Sequence, residues 1–209
     1  MKTIVFDLDN TLLFIGDSWI NVYEDFINKY NLKITPHDLY NVIDDFEKEN
    51  VGHKITIKDL ENFINARLNI NITKDQIDDL LLMYKDIPIF YTDKLNDILS
   101  YLSKKYKLVG YSNWFKDNQV DRLKKYGLDR YFSNVYGWDT ARIKPSKCQI
   151  EEITKDGNID DYIFVGDNMD IDLKVPSDMG IKTIFLNLNG VKQDNHEEIH
   201  SLDELKEIL

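Results

Sequence analysis

Four short apolar runs constrain this chain most: Thr3-Ile4-Val5-Phe6, Lys107-Leu108-Val109-Gly110-Tyr111, Asp161-Tyr162-Ile163-Phe164-Val165 and Lys182-Thr183-Ile184-Phe185-Leu186. Each is too short for a helix and lacks the alternation of a strand with one wet face, so each reads as a strand covered on both sides. The last three are separated by helix-length segments, with a weaker strand candidate near residues 131–135. That is the rhythm of βαβ units and predicts an α/β fold built on a parallel sheet. A sheet buried on both faces needs a sizeable core, which 209 residues at 43% hydrophobic can supply without disulfides.

Between the first strand and the second the pattern changes to helical. Trp19, Val22, Tyr23, Phe26, Ile27 and Tyr30 recur at spacings of three and four. Thr35 followed by Pro36 reads as a cap and first helical residue, opening a helix through Leu39, Val42, Ile43 and Phe46. Leu60, Phe63 and Ile64 mark a third helix, and Thr73 opens a fourth through Ile77, Leu80, Leu81 and Tyr84. Asp86-Ile87-Pro88 punctuates the end, and a helix from Thr92 leads back into the strand pattern. The expected organisation is therefore an α/β core, residues 1–14 and 88–209, interrupted by an inserted helical domain, residues 15–87. Ser201 with Glu204 three residues on resembles a capping box and predicts a short terminal helix.

Charge narrows the partners. Against 26 Lys and Arg stand 37 Asp and Glu, a net charge of -11 with no basic patch, which argues against nucleic-acid polymers and anionic membrane surfaces. No apolar stretch approaches a membrane span or the core of a signal peptide, and the single cysteine, Cys148, reads as an unremarkable helix residue. The expectation is a cytoplasmic protein, monomer or homodimer.

Acids mark the strand ends. The first strand runs into Asp7-Leu8-Asp9-Asn10-Thr11 and the fourth into Gly166-Asp167-Asn168-Met169-Asp170-Ile171-Asp172. In open parallel sheets, ligands bind beyond the carboxyl ends of the strands. Carboxylates converging there repel one another unless a cation neutralises them, and oxygen donors of this kind suit Mg²⁺. A calcium loop of the EF type fails, because Leu12 stands where Gly should turn the chain and Ser18 where the bidentate Glu belongs. His37, His53, His196 and His200 have no spacing that joins them to the acidic loops.

These segments resemble, in order, the four motifs of the haloacid dehalogenase-like hydrolase superfamily. Asp7-Leu8-Asp9-Asn10-Thr11 looks like the first, Val109-Gly110-Tyr111-Ser112-Asn113 the second, Lys144-Pro145 the third, and Gly166-Asp167 with Asp172 the fourth. The insertion after the first motif is similar to the mobile C1-type cap of the superfamily. The resemblance implies a Rossmann-like, three-layer α/β/α core and a Mg²⁺-dependent phosphatase acting on a small phosphorylated metabolite through an aspartyl-phosphate. By the same resemblance Asp7 is the nucleophile, Asp9 the general acid and base, and Lys144 the charge that steadies both Asp7 and the phosphoryl group. Thr11, Ser112 and Asn113 join Lys144 in binding phosphate, with Thr11 also fixing its loop through side-chain hydrogen bonds, and Asp7, Asp9 through its backbone carbonyl, Asp167 and Asp172 hold the metal, Asp172 by binding metal-bound water or by orienting Lys144. Asp170 is an extra acid read as a helix-start or supporting residue. Arg142 is an alternative to Lys144, and Trp19, Tyr23 and Trp114 are candidates for the cleft wall.

Other readings stay open. A sugar phosphomutase keeps the same motifs, and a non-catalytic metabolite-binding protein could keep the fold. A carbon dehalogenase has no alkoxide to protonate, so Asp9 argues against it. A phosphonate hydrolase needs a Schiff-base lysine in the insertion, and none of Lys29, Lys33, Lys48, Lys54 and Lys58 sits in a distinctive apolar setting.

Overall fold

The first apolar run forms β1 (Thr3–Asp7), buried at every residue. Around it lie β2 (Lys107–Tyr111), β3 (Phe132–Tyr136), β4 (Tyr162–Gly166), β5 (Lys182–Leu186) and a three-residue edge strand, β6 (Glu197–Ile199). The computed structural model describes residues 1–90, 92–188, 190 and 197–209, and within it the sheet is parallel throughout, in the order β3-β2-β1-β4-β5-β6. Side chains alternate between the two faces as the pleat requires. Ile4, Phe6, Leu108, Ile163 and Val165 enter one apolar cluster, and Val5, Val109, Phe164 and Phe185 the other. Both faces are thus covered, giving the expected Rossmann-like three-layer α/β/α core.

The insertion is helical, as its periodicity predicts: α1 (Trp19–Tyr30), α2 (Pro36–Glu49), α3 (Ile57–Leu68) and α4 (Lys74–Tyr84). Three of these helices begin with the same device. Thr35, Thr56 and Thr73 each accept from the backbone N–H three residues on, and Asp38, Asp59 and Gln76 reach back to the cap. Asn31 and Asn69 end α1 and α3 in the left-handed region, at φ 50° and 51°, where asparagine is tolerated. The core continues with α5 (Thr92–Leu102), α6 (Lys116–Lys125), α7 (Lys147–Thr154), α8 (Lys174–Asp178) and α9 (Leu205–Ile208). Cys148 is exposed on α7. No helix among the described residues is long and apolar enough to cross a membrane.

The inserted helices do not stand apart from the sheet. Their apolar interior, including Phe26, Phe46 and Leu80, is continuous with Trp114, Phe115, Trp138 and Ile143 from loops at the strand ends. Backbone bonds reinforce the seam. Gly52 N–H donates to Ile143 O at 3.0 Å, Ile143 N–H to His53 O at 3.0 Å, and Ile55 N–H to Trp138 O at 3.1 Å. The helical layer is therefore seated directly over the carboxyl ends of β1, β2 and β4.

At the end of β4 the backbone passes so close to Asp172 that a Cβ on Gly166 would lie 2.6 Å from the Asp172 Cβ and 2.8 Å from its Oδ2. Gly166→Ala is expected to destabilise the protein by about 1–3 kcal/mol through overpacking and to push Asp172 out of place. Urea unfolding reads this directly, and an unchanged midpoint contradicts it.

Candidate active site

Strand register assembles the site. Asp7 pairs with Tyr111, so Ser112 follows one step beyond, and Phe6 pairs with Val165, which brings Gly166-Asp167 to the same edge. Lys144 reaches this edge from the loop after β3, 4% exposed. Its Nζ donates to Asp7 Oδ1 at 2.6 Å and to Asp172 Oδ1 at 2.7 Å, and it lies 4.2 Å from the centre of the Tyr111 ring. Burial pulls the Lys144 pKa down, but the Asp172 and Asp7 charges outweigh it and hold it above the ordinary lysine value. Asp172 is fixed further, Oδ2 accepting from Asn168 N–H at 3.1 Å and its backbone carbonyl from the Tyr111 hydroxyl at 2.5 Å.

Carboxylate oxygens of Asp7, Asp167 and Asp172 lie within 4.8 Å of one another. Burial raises the pKa of Asp7 and of Asp172 against the pull of Lys144. It lifts Asp167 to about 6, with the charge of Asp7 adding to the effect. Three converging acids against one ammonium leave uncompensated negative charge, and an all-oxygen donor set of this kind fits a hard divalent cation. The Asp9 carboxylate does not join that group.

Instead Asp9 is held from α6. Arg122, fully buried, donates from Nη1 to Asp9 Oδ1 at 2.5 Å, and Gln119 Nε2 donates to Asp9 Oδ2 at 2.5 Å and to Ser112 Oγ at 2.7 Å. Arg122 also donates to Gln119 Oε1 at 2.8 Å and packs against the Tyr84 ring. Two of its nitrogens, Nε and Nη2, have no hydrogen-bond partner among the described residues. Asn113 ties two motifs together, its Oδ1 accepting from Lys144 N–H at 2.8 Å and its Nδ2 donating to Glu47 Oε2 at 3.1 Å. Thr11, expected both among the phosphate-binding residues and as a residue fixing its loop, makes bonds between loops. It is fully buried, and its hydroxyl donates to Asp167 Oδ1 at 2.9 Å and accepts from Asp167 N–H at 3.1 Å, so it fastens the first loop to the fourth.

The sequence profile described as haloacid dehalogenase-like hydrolase matches residues 4–186. The chain belongs to that family. Among solved structures it is similar to the magnesium-bound HAD-hydrolase YfnB of Bacillus subtilis, with TM-score 0.80 and 18% identity over 100% of this chain and 98% of that one. It is also similar to the 2-haloacid dehalogenase of Pseudomonas syringae, TM-score 0.76 and 20% identity over 100% and 97%. A third is the HAD phosphatase of Thermococcus onnurineus, TM-score 0.67 and 22% identity over 100% and 97%. No curated protein sequence matches. At these identities the likeness is one of fold.

In this haloacid dehalogenase-like hydrolase the four motifs face a cavity of about 580 Å³ between the strand ends and the inserted helices. Asp7, Asp9, Ser112, Asn113, Lys144, Asp167 and Asp172 line it, as do Trp19, Tyr23 and Trp114. Trp19 and Tyr23 also pack into the helical interior, so both expected roles hold for the same rings. Arg142 points away, donating to Gly52 O at 2.8 Å. Lys29, Lys48, Lys54 and Lys58 are paired with Asp79, Asp44, Glu152 and Glu61 and none lines the cavity. Asp170 is exposed outside it. None of the described histidines joins the carboxylate group, and His196 lies outside the described residues. Sequence reasoning assigned no role to Gln119, Arg122 or Glu47. The only signal was a Gln and an Arg three apart on a helix otherwise rich in exposed charge.

Stranding one partner of a buried ion pair costs about 3–5 kcal/mol. Arg122→Met should cost close to the lower figure, because the Asp9 side chain keeps 26% of its surface exposed. Chemical denaturation checks this. The raised carboxyls predict a pH trend as well. Asp167 at about 6 and Glu47 at about 8 hold protons in the native state that the unfolded chain releases near its ordinary carboxylate values. Native protein therefore binds more protons than unfolded protein between about pH 4 and 8, and stability falls as pH rises through that window. Melting temperatures in chelator should drop from pH 5 to pH 8, and a rise across that range contradicts the placement of these groups.

Proposed function

We propose that this hydrolase is a Mg²⁺-dependent phosphatase of small phosphomonoesters, working through an aspartyl-phosphate on Asp7, with residues 15–87 acting as its cap. One observation carries the reading: Asp7, Asp167 and Asp172 converge within 4.8 Å with Lys144 against them, while Asp9 shares the Gln119 amide with Ser112. Displacing a halide from carbon by a carboxylate requires neither a cluster of acids nor a second carboxyl to protonate the leaving group. Breaking a phosphate ester gains from both.

The Asp7 carboxylate attacks phosphorus, the bond to the leaving oxygen breaks, and Asp9 delivers its proton to that oxygen. Asp9 then takes a proton from water, which attacks phosphorus and releases inorganic phosphate, restoring Asp7. Lys144, locked between Asp7 and Asp172, opposes the charge on the phosphoryl oxygens, and Ser112 offers its hydroxyl to one of them. Gln119 and Arg122 hold Asp9 in a fixed direction, so the proton donor and the phosphate site are positioned by one helix. Asp7, Asp167 and Asp172 would hold Mg²⁺ through oxygen donors, and the ion would supply neutralisation of the phosphoryl charge. Seating α1–α4 over the strand ends excludes bulk water from the ester.

Asp7→Asn should reduce phosphate release from a phosphomonoester panel by at least about a thousandfold, as loss of a nucleophile does. EDTA should abolish turnover and Mg²⁺ restore it. Undiminished turnover in Asp7→Asn, or activity indifferent to chelation, contradicts the reading.

A further inference from the structure

Beyond the phosphate end, the cavity has a second half with its own chemistry. Helical spacing puts Tyr40, Asp44 and Glu47 of α2 on one face, four and then three residues apart, and all three line the cavity. Trp19 stacks on Tyr40 with ring centres 4.4 Å apart, and Tyr84 lies 4.7 Å from Trp114, so aromatic surfaces flank the acids. Every charged side chain that the inserted segment contributes to the lining is acidic: Asp17, Asp44 and Glu47. Among the described residues Lys144 is the single lysine or arginine in the lining, and its ammonium is committed to Asp7 and Asp172.

The three acids differ in availability. Asp17 lies exposed at the rim, and Asp44 is paired with Lys48 at 2.5 Å. Glu47 is half-buried and has no cationic partner within ion-pair distance among the described residues; its bond is from the Asn113 amide. These acids do not converge on a point as Asp7, Asp167 and Asp172 do, so they form no second cation site. Asn113 links Glu47 to the backbone of Lys144, which sets the Glu47 carboxyl at a fixed place relative to the phosphate end.

We propose that this half of the cavity selects a leaving alcohol that carries no negative charge and offers a hydrogen-bond donor, ammonium or hydroxyl, to Glu47 between the aromatic walls, and that Glu47 rejects esters bearing a carboxylate. The inference rests on the phosphatase reading. Once Glu47 is ionised, a carboxylate on the leaving group meets it with no cation to receive it, an unfavourable contact between like charges. An ammonium gains the opposite contact and a face of Trp19 or Tyr40 as well. A sugar hydroxyl finds an acceptor in Glu47 and a flat wall for its ring or base. Burial lifts Glu47 to about 8, so the carboxyl is ionised above that pH, or when an ammonium beside it favours the charged form.

The test compares kcat/KM at about pH 9, where Glu47 is ionised, on five substrates with the Mg²⁺-loaded full chain: 4-nitrophenyl phosphate, 2-aminoethyl phosphate, uridine 5′-monophosphate, 2-phosphoglycolate and 3-phosphoglycerate. The expected result is that 2-aminoethyl phosphate or uridine 5′-monophosphate exceeds both carboxylate esters by roughly 10- to 100-fold. Whichever of the two is preferred distinguishes an ammonium from a hydroxyl donor. Glu47→Gln should shrink the ratio and Glu47→Lys should invert it; each ratio is taken within one protein preparation, so partial loss of folding cancels. Calorimetric binding of the intact esters to Asp7→Asn should follow the same order. Preference for a carboxylate ester in the unmodified protein, or a ratio that Glu47→Lys leaves in place, overturns the inference while turnover of 4-nitrophenyl phosphate leaves the phosphatase reading standing. No turnover of any of the five removes that reading, and the inference with it.

Discussion

Lys144 carries its ammonium into a buried space 2.6 Å from Asp7 and 2.7 Å from Asp172. A buried charge is tolerated only when paired and hydrogen-bonded, so this one group obliges three distant parts of the chain to meet. Asp7 must come from the end of β1, Asp172 from the turn after β4, and Lys144 from the loop after β3. Tyr111 completes the enclosure, with its ring 4.2 Å from the ammonium and its hydroxyl bonded to the Asp172 carbonyl. Removing the ammonium would leave two buried carboxylates facing each other; removing either acid would leave the ammonium half-paired. The strand order around β1 is in this sense required by the site as well as by the packing of the sheet.

The inserted helices depend on the same edge by a different force. Their apolar interior closes only with Trp114, Phe115, Trp138 and Ile143, residues of the loops that also carry Ser112, Asn113 and Lys144. Burying that shared aromatic cluster favours the seated arrangement, and the backbone bonds between residues 52–55 and 138–143 add direction to it. The polar rim near Gly16, Asp17 and Asn168 also lines the cavity.

What could be read from sequence follows from the range of the interactions. β1, β2, β4 and β5 announce themselves as short apolar runs because double-sided burial is written in consecutive residues, and the caps of α2 and α4 because Thr35 and Thr73 act within three positions. The acids at the strand ends were legible for the same reason. Arg122 was not, since its partner Asp9 is 113 residues away and an arginine on a charged helix usually faces water. Glu47 was hidden likewise, its contact with Asn113 spanning 66 residues. Thr11 was legible as a loop-fixing hydroxyl, but its partner Asp167, 156 residues away, was not. β6 offered just three residues, one of them buried, too little for a pattern.

A net charge of -11 describes a chain that should repel phosphate esters, and the cavity contains more acids than bases. The distribution resolves this. At the strand ends, Asp7, Asp167 and Asp172 crowd within 4.8 Å around one ammonium, an arrangement that becomes hospitable to a phosphoryl group once a cation joins it. Under the helices, Asp44 and Glu47 are spread along one face of α2 among aromatic rings, with Asp44 already balanced by Lys48. On the proposed reading the two ends of the cavity present opposite demands to a substrate: an anion at the floor once a cation is bound, and a donor without negative charge at the roof. An ester that carries charge only on its phosphoryl group would meet both demands in a single orientation.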